Sequence, residues 1–363
     1  MTQRTLAGLL AVPLLVALWV QVLREPLPYV VYSPGLTVDV LGTTEADGQG
    51  DEIIEVEGAK TYRDDGQLRM TTVLVSQPDT TVTLPQLIGA WFDGDDAIYP
   101  YASVYAPDDT DETQREEGAF QMATSQDAAI ASALVELGYD VNPTPVVAVV
   151  EKGTPADGEL REGDHLVSIN DREVTTVQEA AEAVDATGDG EPVQLTVNRK
   201  GKRLDFAIPR EQMEGGQRIG IQMRDSFRFP VDVTVGVDPQ IGGPSAGLMF
   251  SLGIYDTLTP GSMTGGEVIA GTGTIAPDGT VGPIGGIDQK IAGARDDGAQ
   301  LFLVPADNCD DAVDAPAGDM RLTRVSTMSE AVDAVEAWAA DPDTDLPQCT
   351  AGGGAQTQAA GEH

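Results

Sequence analysis

The chain has 363 residues, room for two or three domains, and its 41% apolar and 22% charged composition suffices to bury real cores. Acidic groups outnumber basic ones 59 to 21, a formal charge of −38. That excludes a general nucleic-acid binder, which needs a basic face, and repels anionic lipid head groups. The only histidines are His165 and His363 and the only cysteines Cys309 and Cys349. A histidine-rich metal site, a zinc ribbon and a multi-disulfide scaffold are excluded by counting, and no metal or cofactor is expected.

Residues 5–23 carry no charge. As a helix at about 1.5 Å per residue they span about 28 Å, close to the ~30 Å of a hydrocarbon core. No small-x-small cleavage site follows the run, only Arg24-Glu25-Pro26-Leu27-Pro28-Tyr29. A retained single-pass transmembrane anchor is expected rather than a cleaved signal, with the four-residue end inside and the bulk of the chain extracytoplasmic. That location allows a Cys309–Cys349 disulfide as readily as two free thiols.

Tyr29–Tyr32 reads as an extended stretch, and residues 53–57 and 70–75 as strands with a turn over 63–66. Residues 91–118 hold nine acids and one arginine and read as a solvated excursion. Ser125 is placed as the cap of a helix over 126–137 that Gly138 ends. The region 29–138 is expected to pack with the C-terminal domain.

A compact unit spans 144–210. It has a strand at Val146–Val150, a loop at Gly153-Thr154-Pro155-Ala156-Asp157, and a turn and strand over 160–170. Thr176-Val177-Gln178-Glu179 reads as a capping box, and strands 193–198 and 203–208 close the unit. These residues resemble a PDZ domain, chiefly in Gly-x-Pro-Ala followed by Gly163-Asp164 and the apolar alternation up to Asn170. The resemblance implies a groove that takes an extended peptide as an added strand and holds its terminal carboxylate on backbone N–H groups. Leu137-Gly138-Tyr139 is the one apolar-Gly-apolar match before the first strand, and a plain helix end is the preferred reading. His165 falls inside the strand pattern and is read as structural.

From 218 to 340 strands, glycine turns and helices alternate, as in an α/β or α+β domain, and 341–363 reads as a disordered tail. The strand 231–237 runs into Ile241-Gly242-Gly243-Pro244-Ser245-Ala246-Gly247 and then a helical pattern. Ser245 is thereby set at a helix N-terminus after a glycine-rich bend, where backbone N–H groups around Gly243, Pro244 and Ala246 could stabilise an oxyanion. The bland reading is a serine cap. A serine nucleophile needs a base, and with both histidines poorly placed the choice falls on Lys290, the C-terminal domain's single lysine. Bringing a lysine from about 10.4 to near 7 takes roughly 4 kcal/mol, which burial can supply. Ile284, Ile287 and Ile291 flank it in sequence.

Gly-Pro-Ser-Ala-Gly followed by Gly-Gly-Ile-x-x-Lys resembles the proteolytic domain of Lon proteases. The resemblance implies a Ser245–Lys290 dyad. It also implies a helper threonine bonded to the lysine, which the Met263-Thr264-Gly265 segment assigns to Thr264. Lon enzymes commonly carry an aspartate before the Gly-Pro-Ser, where this chain has Gly242, and Asp238 is the nearest substitute. No Gly-x-x-x-x-Gly-Lys-(Ser/Thr) phosphate loop occurs, so no ATP is expected. The whole arrangement resembles the membrane-anchored PDZ–Lon-type proteins of Gram-positive, actinobacterial type. It implies a multidomain α+β protein acting as an ATP-independent serine endopeptidase on unfolded or exposed segments of extracytoplasmic proteins. Rings of Lon domains leave oligomerisation open. The alternative is a catalytically silent PDZ scaffold that regulates another surface protease.

Overall fold

The computed structural model describes residues 3–44, 50–188, 190–213 and 216–350. In chain order the main elements are α1 (Gln3–Arg24), β1 (Tyr29–Asp39), β2 (Ile54–Glu57), β3 (Gln67–Val75), α2 (Leu84–Phe92), β4 (Ala97–Pro100) and α3 (Asp111–Glu136). There follow β5 (Asn142–Val150), β6 (His165–Ile169), α4 (Val177–Asp185), β7 (Val193–Arg199), β8 (Lys202–Ile208), β9 (Ile221–Arg228) and β10 (Asp232–Val235). The chain ends in α5 (Gly247–Leu258), β11 (Val268–Gly271), α6 (Ile287–Asp296), β12 (Leu301–Pro305), β13 (Arg321–Val325) and α7 (Met328–Ala340). These elements form two compact units, one of residues 1–129 and 233–363, the other of 130–232.

The first unit is built on a six-stranded sheet of order β13-β12-β11-β3-β1-β4. β3, β11, β12 and β13 run parallel, while β1 is antiparallel to both β3 and β4. Leu301-Phe-Leu-Val-Pro305 is buried at every position, the signature of a parallel strand covered on both faces. Helix α5 is apolar on nearly all sides and ten of its twelve residues are buried, so it lies within the core rather than upon it. α6 packs on β1 and β3. A Cβ at Gly293 would lie 2.9 Å from the Gly35 carbonyl oxygen, so only glycine lets the helix approach the strand that closely.

Two local expectations are corrected. Residues 91–118 are not one solvated excursion: Ala97–Pro100 pairs with β1, and α3 starts at Asp111. Ser125 therefore sits inside a 26-residue helix and caps nothing; its hydroxyl donates to the Pro244 carbonyl at 3.0 Å. The strands β2 and β3 flank the 63–66 turn without pairing, since β2 joins β10 and β3 joins β1 and β11. Local pattern could not reveal this, because the partners lie far along the chain.

Part of the expected tail is ordered. Cys309 and Cys349 form a disulfide, the Arg324 N–H and the Thr323 hydroxyl both donate to the Pro347 carbonyl, and Leu346 is buried. Residues 351–363, with His363, lie outside the described residues. At the other end, α1 exposes Leu14, Leu15, Val16, Leu18, Trp19 and Val22 around its circumference. Among the described residues, no helix is long and apolar enough to cross a membrane.

The second unit is a sheet of order β9-β5-β6-β7-β8, with Arg172–Glu173 also paired to β6. Val193, Leu195 and Val197 alternate into one core with Leu166, Ile169 and Ile208. The Thr176 hydroxyl accepts from the Glu179 N–H, capping α4 and turning Ala180 and Ala183 inward. Asp164, fully buried, is held by Arg199 at 2.6 Å. β9 belongs to this sheet, so the unit extends some twenty residues past 210.

Candidate active site

Ser245 follows the bend 241–244 and precedes α5, whose N-cap is Ala246. Its carbonyl is held twice: by the Gly273 N–H at 2.9 Å and by the Thr272 hydroxyl at 3.0 Å. Lys290 stands in the first turn and a half of α6, and its side chain is directed at β3. Its Nζ donates to the Thr71 carbonyl at 2.8 Å and to Ser245 Oγ at 2.9 Å. The residue is 3% exposed, and burial pulls its amine from 10.5 down to about 7. Ile287 and Ile291 beside it on the helix are buried as well. An amine that is about half neutral near pH 7, hydrogen-bonded to a serine hydroxyl, can take up that hydroxyl's proton.

The expected helper is elsewhere. The Thr264 hydroxyl donates to the Asp65 carbonyl at 3.2 Å and lies 3.1 Å from Ser262 Oγ, and no bond to Lys290 is formed. Thr272, fully buried and bonded to Ser245's own carbonyl, is the threonine built into the site. Its sequence signal was the Gly271-Thr272-Gly273 run, a second Thr-Gly eight residues later that the Met-Thr-Gly at 263–265 outshone.

The bend also revises the oxyanion set. Pro244 has no N–H to offer, and the Gly243 N–H is committed to the Gly118 carbonyl at 2.9 Å. Of the expected group, Ala246 stands at the N-cap of α5. The missing aspartate has a steric reason: a Cβ at Gly242 would lie 3.0 Å from Gly118 Cα. Asp238 does not replace it, because its carboxylate accepts from the Gln240 N–H in an exposed turn.

Beside the bend lies a cavity of about 400 Å³, with Tyr32, Val73, Val75, Tyr105, Gly242 and Gly243 among its walls. A second, almost wholly apolar hollow of about 190 Å³ is bounded by Phe120, Thr124, Ala128, Pro244 and Ile275. Among the described residues no cluster of His, Cys, Asp or Glu could hold a metal ion.

Residues 120–209 match the family model of the PDZ domain, and residues 214–337 match that of the Lon protease (S16) C-terminal proteolytic domain. The chain carries a PDZ domain and a Lon-type proteolytic domain. The latter is a serine-peptidase domain. It is 37% identical over 115 residues to Lon protease 1 of Sorangium cellulosum, covering 31% of this chain and 13% of that protein. A Lon protease of Campylobacter concisus is 37% identical over 136 residues, covering 36% of this chain and 16% of the relative. The chain thus spans a small fraction of the length of these relatives. A crystal structure of the PDZ domain of an SdrC-like protein from Listeria innocua is similar at 23% identity, with a TM-score of 0.21, covering 22% of this chain and 92% of the other.

In the PDZ domain, Leu137-Gly138-Tyr139 is the plain helix end preferred from the sequence: the Tyr139 N–H donates to the Leu134 carbonyl and Gly138 has φ +78°. An apolar-Gly-apolar run does occur at Ile219-Gly220-Ile221, leading into β9, the last strand of its sheet. Between it and α4 lies a groove of about 420 Å³ whose walls include Val184, Arg210, Ile219, Gly220 and Met223. It lies outside the sequence pattern before the first strand, because the chain supplies this edge strand last. His165 sits on β6, paired in register with Val146 and Asn198.

Proposed function

We propose that this protein is an ATP-independent serine endopeptidase in which Ser245 is the nucleophile and Lys290 the general base. The observation that carries the reading is the contact of a buried amine, with its pKa near 7, with the serine hydroxyl at 2.9 Å. Neutral Lys290 takes the hydroxyl proton as Oγ attacks a peptide carbonyl. The tetrahedral oxygen is received by the N–H groups of Ser245 and Ala246, aided by the positive end of α5. The ammonium returns its proton to the leaving amine, and the C–N bond breaks. Water, deprotonated by the same amine, then releases the acyl group and regenerates Ser245.

Thr272 and Gly273 act by position. They fix the serine's carbonyl, and through it the direction of Oγ. With no phosphate-loop motif in the sequence to drive unfolding, extended or unfolded segments are the substrates this reading assigns to the cavity beside Gly242. The α4–β9 groove runs along the edge strand of its sheet beside an apolar-Gly-apolar turn, suited to an extended stretch of polypeptide.

The setting is extracytoplasmic, with α1 as a single-pass anchor. Two features support this: the charge-free run 5–23, and a disulfide, which persists in oxidising compartments. The test is hydrolysis of an unstructured reporter polypeptide together with labelling by a serine-directed probe. Labelling and turnover are lost together in Ser245→Ala, and turnover in Lys290→Ala. Full turnover in either variant, with folding intact, refutes the dyad.

A further inference from the structure

Helix α2, Leu84-Pro-Gln-Leu-Ile-Gly-Ala-Trp-Phe92, contains no charged side chain and turns its largest apolar groups outward. Ile88, Trp91 and Phe92, spaced i, i+3 and i+4, form one stripe and are 48%, 80% and 83% exposed, whereas Ala90 faces in and is buried. A lone exposed apolar residue is ordinary, but an uncharged helix with two bare aromatics on one face is an interaction surface.

The neighbouring helix bears on what covers it. α1 packs against α2. Leu27, three residues past the end of α1, donates its N–H to the Val82 carbonyl at 2.8 Å, two residues before α2 begins. The exit of the apolar helix and the entry of the aromatic one are thus pinned together. Trp19 on α1 is 65% exposed, so both helices leave an indole uncovered. Charge begins only after Phe92, with Asp93, Asp95 and Asp96, and Asp95 is drawn inward by Arg295 at 2.8 Å. With a net charge of −38, attraction to anionic head groups does not hold this face. Indole and phenyl rings at the acyl–headgroup boundary do not need it.

We propose that the Ile88–Trp91–Phe92 stripe is a lipid-binding foot. It seats on the bilayer surface beside α1 and fixes the angle at which the protease domain stands on the membrane. The proposal rests on the anchoring reading of α1. Its test uses the full chain carrying Trp19→Phe, in phosphatidylcholine vesicles with and without brominated acyl chains. The remaining indoles are Trp91 and Trp338, and Trp338 is buried; a Trp19→Phe/Trp91→Phe protein supplies its background. Vesicle-bound protein should show Trp91 emission shifted to shorter wavelength, quenched by the bromines and shielded from iodide in solution. Protein that is vesicle-bound but unquenched by the bromines overturns the foot while leaving the anchor standing. If the indole is then also shielded from iodide, a protein partner or second copy covers the stripe instead. Protein that does not bind the vesicles overturns both readings.

Discussion

Replacing Lys290 by methionine keeps the length of the side chain and removes its titration. In the folded protein the amine titrates near 7, against 10.5 for an unburied lysine. Between these values the unfolded chain holds a proton that the folded site refuses, so the parent's stability rises with pH through this window. At about 1.4 kcal/mol per pH unit, the parent should lose roughly 2 kcal/mol relative to Lys290→Met between pH 9 and pH 7. Below pH 7 the folded site takes the proton as well, and the difference levels off near an accumulated ~5 kcal/mol. The lost hydrogen bonds to Thr71 and Ser245 offset the two curves by an amount that does not vary with pH, so they do not disturb the reading. Chemical denaturation of both proteins across pH 6–9 measures the difference directly. In the parent, the pre-steady-state acylation rate should climb with pH through an apparent pKa near 7, since only the neutral amine can accept the proton. Denaturation curves that stay a constant distance apart over this range would mean a lysine that is charged and solvated in the fold, and the base assignment would fall with it.

Thr272→Val removes the hydroxyl bond to the Ser245 carbonyl while leaving that of Gly273; it should cost about 1 kcal/mol in a melting experiment and lower turnover several-fold, with Thr272→Ser restoring both. Thr264→Val, by contrast, should leave the pH–rate profile unshifted, because its hydroxyl serves the Asp65 carbonyl. Cys349→Ser opens a cross-link of sequence separation 40, and the chain-entropy estimate puts the loss at roughly 4 kcal/mol in denaturant titration, an upper figure for a closed loop of this size. In the PDZ domain, Arg199→Met strands the fully buried Asp164 without its 2.6 Å partner and should destabilise that domain by roughly 3–5 kcal/mol, read as an early denaturation of the β5–β9 sheet by hydrogen exchange.

The reactive pair was legible because each member sits in a short run whose residues do local work. A glycine-rich bend must precede a serine at the start of a helix, and Gly285-Gly286 opens the helix that bears Lys290. The threonine was misread for the opposite reason. Met-Thr-Gly at 263–265 and Gly-Thr-Gly at 271–273 share the Thr-Gly pair, and only the position of β11 decides which hydroxyl reaches the Ser245 carbonyl. The strand that borders the PDZ groove escaped for a similar reason, since a strand's place in a sheet is set by its hydrogen-bond partner and not by its place in the chain.

The sequence by itself, through its charge balance, its short motifs and the resemblance of those motifs to PDZ and Lon-type domains, pointed to two domains and to a serine and a lysine 45 residues apart. Those properties are written in charge balance, periodicity and short motifs, all of which act over a few residues. Tertiary structure alone decided the rest. β3, from the region ahead of the PDZ domain, supplies the Thr71 carbonyl that accepts from Lys290, and α3 brings Gly118 against Gly242. Burial then lowers the amine's pKa. The reason is physical: desolvation and close approach depend on what surrounds a group in space, and those surroundings come from segments more than a hundred residues away.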